Sequence, residues 1–173
     1  MERIYIMYDK ITQKDVDRIK KEIEYRKVVV RKEALEDVKE ARAHGDLSEN
    51  FEYKAAKQFK NQNESRIRYL ERMIKTAQII SEESADNEVG VNDRVTIYYP
   101  EDDEEETVKI VTTVRSNSLK GRIGIDSPLG KALLHHQVED RVSVKVNDDY
   151  TYDVIIKNIE KLEDKGEDEL RKY

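Results

Sequence analysis

The residues of this sequence best suited to chemistry are two acids three positions apart, Asp46 and Glu49. They follow Gly45, which predicts the end of one helix, and on a helical turn their carboxylates can point off the same end. Paired carboxylates bind hard cations such as Mg²⁺, but Mg²⁺ takes further ligands from phosphates and water. If the pair binds a metal, we therefore expect it to complete a site in another molecule.

A structural role for the same pair is the simpler interpretation of the pattern. An Asp followed three residues later by Glu is a capping box, and acids are favoured electrostatically at a helix N-terminus. From the pattern alone, Asp46 and Glu49 are predicted first of all to cap a second helix. The two roles do not exclude each other, because capping can orient acids that also bind a metal.

Two long helices must position this pair. Thr12 with Asp15 resembles a capping box at the start of the first helix, which ends near Gly45, and the second helix follows it. One narrow apolar stripe per helix is typical of an antiparallel coiled coil. The predicted stripes contain Val16, Ile19, Ile23, Val30, Ala34, Val38 and Ala41, then Leu47, Phe51, Ala55, Phe59, Ile67, Leu70, Ile74 and Ala77, with Asn63 at one position.

The second half of the chain predicts an antiparallel β-sheet with one buried face. Apolar residues alternate with polar ones in five short runs. Ser127 before Pro128 predicts the start of a short helix that covers the sheet. The predicted class is therefore α+β, with an N-terminal coiled-coil hairpin and a C-terminal sheet domain. The runs lie at 91–99, 108–114, 123–125, 142–146 and 150–156.

Charge divides the chain in the same way. Residues 1–80 carry a net charge of +4, and residues 81–173 carry one of −10. Segment 81–90 is small and polar, which is typical of a linker. We therefore predict a hairpin over 1–80, a linker over 81–90 and a second domain over 91–173. Its charged tail, 160–173, is expected to be frayed or a solvated helix end.

Composition excludes several classes of protein. The 173 residues include no Cys, which excludes disulfides, thiolate nucleophiles and Cys-ligated zinc. No run of about 18 apolar residues predicts a membrane-spanning helix. The first ten residues lack the apolar stretch of a secretory signal, so we expect a cytoplasmic protein. The sequence contains no phosphate-binding glycine loop, no Gly-x-Ser-x-Gly nucleophile elbow and no His-Glu-x-x-His zinc motif. It therefore predicts no self-contained active site.

The other candidate sites are weaker. The acidic run 101–106 is predicted to be a solvated hairpin loop, and the adjacent His135 and His136 face different directions, so they do not share an ion. Basic residues on the second helix are predicted to form mostly a solvated face, with contact to nucleic-acid phosphates or an acidic protein as the alternative. They are Lys54, Lys57, Lys60, Arg66, Arg68, Arg72 and Lys75.

Two separate motifs resemble one known family. Residues 41–57 (ARAHGDLSENFEYKAAK), followed by Arg66 and Ile67, resemble the tip and second helix of the bacterial Gre transcript-cleavage factors. Residues 127–134 (SPLGKALL) resemble the signature of their C-terminal domain. The resemblance covers about residues 10–160 and is closer to the GreA than to the GreB branch. It implies an FKBP-like C-terminal domain that docks on bacterial RNA polymerase, with the coiled coil in the secondary channel.

The resemblance also implies a role for the acid pair. By position, Asp46 and Glu49 match the tip acids that help to hold Mg²⁺ jointly with the polymerase and position the water that cleaves backtracked nascent RNA at its 3′ end. Ser48 and Asn50 occupy supporting tip positions. The implied protein is a monomeric, DNA-binding elongation factor that activates the polymerase's own hydrolysis. It is not an enzyme itself and binds no cofactor stably alone. The resemblance therefore reverses the prediction that the pair only caps a helix.

The sequence departs from the family pattern at several positions. Phe51 stands where the family usually has a small residue, which changes packing just behind the tip. In the second half, His135–His136, Glu139–Asp140 and Thr112 replace residues that include glycines in the family. These departures concern docking rather than the chemistry of the tip.

Two alternatives come from other classes of function. A Gre-like regulator can occupy the secondary channel without promoting cleavage, but retention of Asp46 and Glu49 argues against it. A prolyl isomerase needs a concave aromatic pocket. The chain has no Trp and only two Phe, both in the first half, which argues against that activity.

Overall fold

The computed structural model describes residues 8–45 and 50–172, and these form two compact units. One unit contains residues 16–77 and is helical. The other combines the described residues up to Asp15 with Gln78–Lys172 and contains the β-sheet. The units thus divide the chain after Asp15 and before Gln78, whereas the predicted boundaries lay at 80 and 90.

The helical unit is a hairpin of two antiparallel arms, as predicted. Its first arm runs through α1 (Gln13–Tyr25), a π-helical turn (Arg26–Val30) and α2 (Arg31–Ala43), and its second arm is α3 (Phe51–Thr76). The π-helical turn lies where the apolar stripe of the first arm is weakest. Asn63 of α3 contacts the first arm there through polar groups. Its Nδ2 donates to the Arg26 carbonyl (3.3 Å), and its Oδ1 accepts from Arg26 Nη1 (3.2 Å).

The predicted apolar stripe is correct in the middle of the hairpin and wrong at the tip end of its second arm. Ala34, Ile67 and Leu70 are buried, but Phe51 and Phe59 are 82% and 44% exposed. Near the tip, a different set of α3 residues is at least partly buried, at steps of three and four residues. The face of α3 toward the other arm is therefore formed by that set, and both Phe side chains lie outside it. That spacing runs through Tyr53, Ala56, Lys60 and Asn63.

The main sheet of this unit has five strands in the order β5-β4-β3-β7-β6. Three of the four neighbouring pairs are antiparallel, as predicted, and the exception is the parallel pair of β4 and β5. A parallel pair requires a crossover, here through two short 3₁₀ turns. The strands are β3 (Arg94–Tyr99), β4 (Glu104–Val111), β5 (Arg122–Gly124), β6 (Arg141–Lys145) and β7 (Thr151–Glu160).

The predicted short helix is present as α4 (Pro128–Leu133). Ser127 caps it, because its Oγ accepts a hydrogen bond from the Gly130 amide (3.0 Å). Gly130 is required by close packing, since a Cβ there would lie 2.1 Å from the Gly124 carbonyl oxygen. Leu133 joins the core of the sheet, which contains Val95, Ile97, Val108, Ile110, Val142, Val144, Val154 and Ile156.

The segment before the first helix belongs to the sheet unit because of a small parallel pair. β1 (Lys10–Ile11) pairs with β2 (Gln78–Ile79). The predicted capping box is confirmed beside it: the Thr12 amide donates to Asp15 Oδ2 (3.1 Å), and the Asp15 amide donates to Thr12 Oγ1 (3.2 Å). Segment 81–90 has irregular backbone, yet Val89 within it is fully buried in the core.

The expectation of a frayed tail is wrong for residues 161–172. They have no regular secondary structure, but Asp168 accepts hydrogen bonds from Lys109, Arg115 and Arg122 at 2.8–3.3 Å. The Arg171 amide also donates to the Val114 carbonyl (2.7 Å). The tail is held because three largely buried cations of the sheet unit are paired with its Asp168. Among the helices described, none is long and apolar enough to cross a membrane.

Candidate functional site at the hairpin tip

The first arm ends at the glycine that the sequence predicted. α2 ends at Ala43, and the amide of His44 donates to the Ala41 carbonyl (3.3 Å). Gly45 follows with φ of +115°, a conformation that other residues adopt only under strain. The backbone therefore leaves the helix at Gly45, and the acid pair comes directly after this point in the sequence.

Asn50 joins the two arms at the tip. It is the N-cap of α3, and its Oδ1 accepts a hydrogen bond from the Tyr53 amide (2.9 Å). Its Nδ2 donates to the Ala41 carbonyl at the end of α2 (2.8 Å). One side chain therefore satisfies a free amide of one helix and a terminal carbonyl of the other. The sequence assigned Asn50 only a supporting place; the structure gives it this bridging contact.

The three other predicted tip residues, Asp46, Ser48 and Glu49, lie outside the described residues. Their role as metal ligands therefore stays a prediction. The interpretation of Asp46 and Glu49 as a capping box also falls on residues outside the described ones; α3 as described begins at Phe51, with Asn50 as its N-cap. An Asn at that position is itself a common N-cap, a signal that the preceding acids obscured.

The described residues around the tip include basic and aromatic side chains that contact one another. The Arg42 guanidinium lies 5.8 Å from the centre of the Tyr53 ring. A hydrogen bond from Arg42, together with the charges of Arg42, Lys57 and Lys60, outweighs burial and lowers the pKa of the Tyr53 hydroxyl. Phe51 exposes its ring to solvent, with Lys54 Nζ 5.6 Å from the ring centre. Acids accompany these cations, since Glu52 contacts His44 (3.7 Å) and Asp46 and Glu49 belong to the same stretch of sequence, so neither sign of charge dominates the tip.

Farther from the tip, ion pairs between the arms neutralise part of the predicted basic face. Arg66 is 7% exposed and donates to Glu22 (3.0 Å), which also binds Arg26, so the expectation that Arg66 lies on a solvated face is wrong. Burial raises the pKa of Glu22, but hydrogen bonds from Arg66 and Arg26 outweigh it and the net shift is downward. Arg31 and Glu64 form a bidentate pair at 2.7 and 2.9 Å.

The two weaker candidate sites, the histidine pair and the acidic run, do not form a shared binding site. His135 contacts Glu88 (3.3 Å) and His136 contacts Asp140 (3.1 Å), which confirms that the two imidazoles face different partners. The acidic run 101–106 forms the turn between β3 and β4 and the start of β4. Within residues 8–45 and 50–172, no group of three His, Asp or Glu side chains is arranged to hold a metal ion.

Comparison with known proteins matches both halves of the chain. The family model described as "Transcription elongation factor, N-terminal" matches residues 9–79, and the model "Transcription elongation factor, GreA/GreB, C-term" matches residues 79–161. Transcription elongation factor GreA of Geobacillus kaustophilus is 43% identical over 136 residues, which cover 78% of this chain and 86% of that protein. The Bacillus subtilis GreA is 39% identical over 135 residues, with the same coverage of both chains.

One solved structure also matches the chain. The transcription factor Gfh1 is 27% identical, with a TM-score of 0.44, over 90% of this chain and 99% of that one. The two family models together span residues 9–161, and the GreA relatives match most of the same length. This chain therefore belongs to the GreA/GreB family of transcription elongation factors.

Proposed function

We propose that this protein binds RNA polymerase, places its helical hairpin in the secondary channel and stimulates Mg²⁺-dependent cleavage of backtracked nascent RNA. Arrested complexes then resume elongation from the new RNA 3′ end. The observation that carries the proposal is the position of Asp46 and Glu49 between α2 and α3, in a chain that matches both domains of the family. In this proposal the chain brings two carboxylates to the active centre, and the active centre itself belongs to the polymerase.

The contacts that flank the acid pair support this role. Asn50 joins the last turn of α2 to the first turn of α3 through Ala41 and Tyr53. Both ends of the segment 46–49 are therefore attached to helices that are themselves bound to each other. A catalytic group works best when its supports hold it in place before the substrate arrives. We assign Asn50 a positioning role, since both ends of its amide are already engaged.

The donor chemistry of the tip fits Mg²⁺. Asp46 and Glu49 offer carboxylate oxygens, the ligand type that Mg²⁺ prefers, but two residues leave most of its six positions to other groups. In the proposed complex, the polymerase and the RNA phosphates fill those positions. When bound, the ion lowers the pKa of an attacking water and neutralises charge on the phosphate. The part of this chain is to bring the two acids to that ion and orient them.

The second unit supplies the proposed docking surface. Segment 127–134 has a defined conformation, because Ser127 caps α4 and Gly130 allows the helix to approach Gly124 of β5 closely. Packing of Leu133 into the core holds the helix on the sheet. We therefore propose that the sheet unit docks on the polymerase and that the hairpin reaches the RNA.

A cleavage assay on backtracked elongation complexes tests the proposal. Purified polymerase stalled in a backtracked position is mixed with Mg²⁺ and either the wild-type chain or the Asp46→Ala/Glu49→Ala variant. We expect the wild type to release short 3′ RNA fragments and the variant to lose more rate than the roughly 10–100-fold that removing a group which merely supports a metal ligand costs. Glu36→Ala/Asp37→Ala on the exposed side of α2 is the charge-matched control and should cleave like the wild type.

The outcomes separate the competing functions. Wild-type protein that binds polymerase but releases no fragment would identify a channel regulator without cleavage activity. Cleavage that survives in the Asp46→Ala/Glu49→Ala variant would remove these acids from the site. A polymerase-binding measurement on each variant is run in parallel, so that loss of docking is distinguished from loss of chemistry.

A further inference from the structure

A small pocket lies at one end of the sheet, and its lining includes no residue of the hairpin tip or of segment 127–134. β3 ends at Tyr99 and its antiparallel neighbour β7 begins at Thr151, so the turn after β3 and the turn before β7 meet at the same end. The cavity between them has a volume of about 110 Å³. Its lining consists of Tyr99, Tyr150, Tyr152, Glu101, Asp102 and Asp153.

Three tyrosine rings form the aromatic part of this pocket. The ring centres of Tyr99 and Tyr152 are 6.0 Å apart, and those of Tyr152 and Tyr150 are 5.8 Å apart, with neighbouring planes tilted by 32° and 38°. Tyr99 and Tyr152 pack against the core of the sheet, and the Tyr99 hydroxyl donates to Glu106 (2.8 Å), which fixes that ring. Tyr150 is 56% exposed, so its ring remains accessible.

The rest of the lining is acidic. Asp153 is held in place by Arg141 Nε (2.8 Å) and Ser143 Oγ (2.6 Å). Glu101 and Asp102 are exposed at the rim. Burial, with the hydrogen bond to Glu106, raises the pKa of the Tyr99 hydroxyl, so that the ring stays neutral. The lining therefore combines electron-rich ring faces with carboxylates and includes no cationic side chain.

We propose that this pocket, which we call the tyrosine pocket, binds an arginine side chain from a basic segment of a partner protein. A guanidinium group is planar, stacks on aromatic faces, and pairs with carboxylates in a bidentate manner. Both kinds of partner are present within one cavity whose volume suits a single side chain. The sheet half of the chain carries a net charge of −10, which favours a basic partner over an acidic one.

The pocket favours arginine over lysine. An ammonium group is compact and strongly hydrated, so it gives up more hydration on entering an aromatic site than the weakly hydrated guanidinium does. The proposal is independent of the proposed cleavage function, because it involves no tip residue. It identifies a second interaction surface, on the sheet unit.

Fluorescence anisotropy on the full chain tests this proposal. The probes are a labelled octapeptide of alternating glycine and arginine, its lysine counterpart and its glutamine counterpart, at about 100 mM salt. We expect the arginine peptide to bind at least threefold tighter than the lysine peptide and the glutamine peptide not to bind. Tyr150→Ala should weaken arginine binding about fivefold, in the range of a partly desolvated cation–π contact, whereas Tyr150→Phe keeps the ring and should bind like the wild type.

Acid variants separate the pocket from general surface charge. Glu101→Gln/Asp102→Asn should weaken arginine binding more than Asp86→Asn/Glu167→Gln, which removes the same charge at exposed acids outside the pocket. Equal effects of these two double variants would overturn the proposal, as would equal affinity for arginine and lysine peptides. Wild-type affinity in Tyr150→Ala, or the same loss in Tyr150→Phe, would overturn the assigned role of the ring.

Discussion

The two units of this protein are stabilised in different ways. The sheet unit buries a continuous set of branched aliphatic side chains from all its long strands. The hairpin has a narrow buried line of Ala34, Ala41, Ile67 and Leu70, and adds polar contacts between its arms. Burial is non-directional, whereas hydrogen-bonded pairs fix the register of two helices. The difference indicates one unit that is held by its apolar core and another whose alignment depends on a few specific contacts.

Buried ionic groups sharpen this comparison, because each unit has an arginine at its centre. In the sheet unit, Arg115 is fully buried and its guanidinium contacts Asp15 (2.9 Å), Asp168 (3.2 Å) and Asp164 (3.9 Å). In the hairpin, Arg66 contacts Glu22, whose side chain is 23% exposed. Breaking an ion pair that keeps contact with water costs less folding stability than breaking a fully buried one. The sheet unit should therefore depend on its arginine far more than the hairpin does.

Arg115→Met is expected to have the largest effect. It leaves Asp15 without its buried cationic partner, and breaking a buried pair in this way costs about 3–5 kcal/mol. Urea denaturation followed by circular dichroism measures the loss. The control is Arg94→Met, which breaks the exposed pair with Glu160 and should cost less than about 1 kcal/mol. If the two variants lose similar stability, the Arg115 cluster is not what holds the sheet unit together.

Asp168→Asn tests whether the tail is part of that cluster. Burial raises the pKa of Asp168, but the hydrogen bond and charge of Lys109, with the charge of Arg115, outweigh it and lower the pKa overall. Removing its charged hydrogen bonds should cost about 1.5–3 kcal/mol at pH 7.

The sign of the pH dependence follows from the lowered pKa of Asp168. A carboxylate with a depressed pKa contributes fully above its unfolded value, about 3.9, and loses its contribution as pH falls through the folded value. The stability gap between wild type and Asp168→Asn should therefore narrow below about pH 4. Glu167→Gln, at an exposed neighbour, should stay within about 0.5 kcal/mol. A gap that stays constant from pH 7 to pH 3 would contradict the role of the Asp168 charge.

The features that the sequence could predict are those that depend on local patterns of burial and capping, and the features that it missed depend on specific polar contacts. The period-two runs located all five strands, and Ser127 with Pro128 located α4, because those patterns depend on local burial and capping. The apolar pattern missed which face of α3 meets α2 near Phe51, because a polar contact outside that pattern, from Asn50 to the Ala41 carbonyl, joins the first turn of α3 to α2. The held tail was also missed, since its partners Lys109 and Arg115 are distant in sequence and become buried only in the fold.

Asn50→Ala should have the smallest effect on stability and the most local one. It removes the N-cap of α3 and the bond to Ala41, and loss of a cap commonly costs about 0.5–2 kcal/mol. Hydrogen exchange should accelerate at the Tyr53 amide, which loses its acceptor, while amides in the sheet unit keep their rates.

Asn50→Asp separates the two contacts of that side chain. A carboxylate keeps the acceptor for the Tyr53 amide and suits a helix N-terminus, but it cannot donate to the Ala41 carbonyl. Exchange at Tyr53 should therefore stay close to the wild-type rate, whereas cleavage of backtracked RNA should fall in both variants with polymerase binding unchanged. Wild-type cleavage in Asn50→Asp would mean that the cap alone positions the tip, and that the bridge between the arms does not contribute.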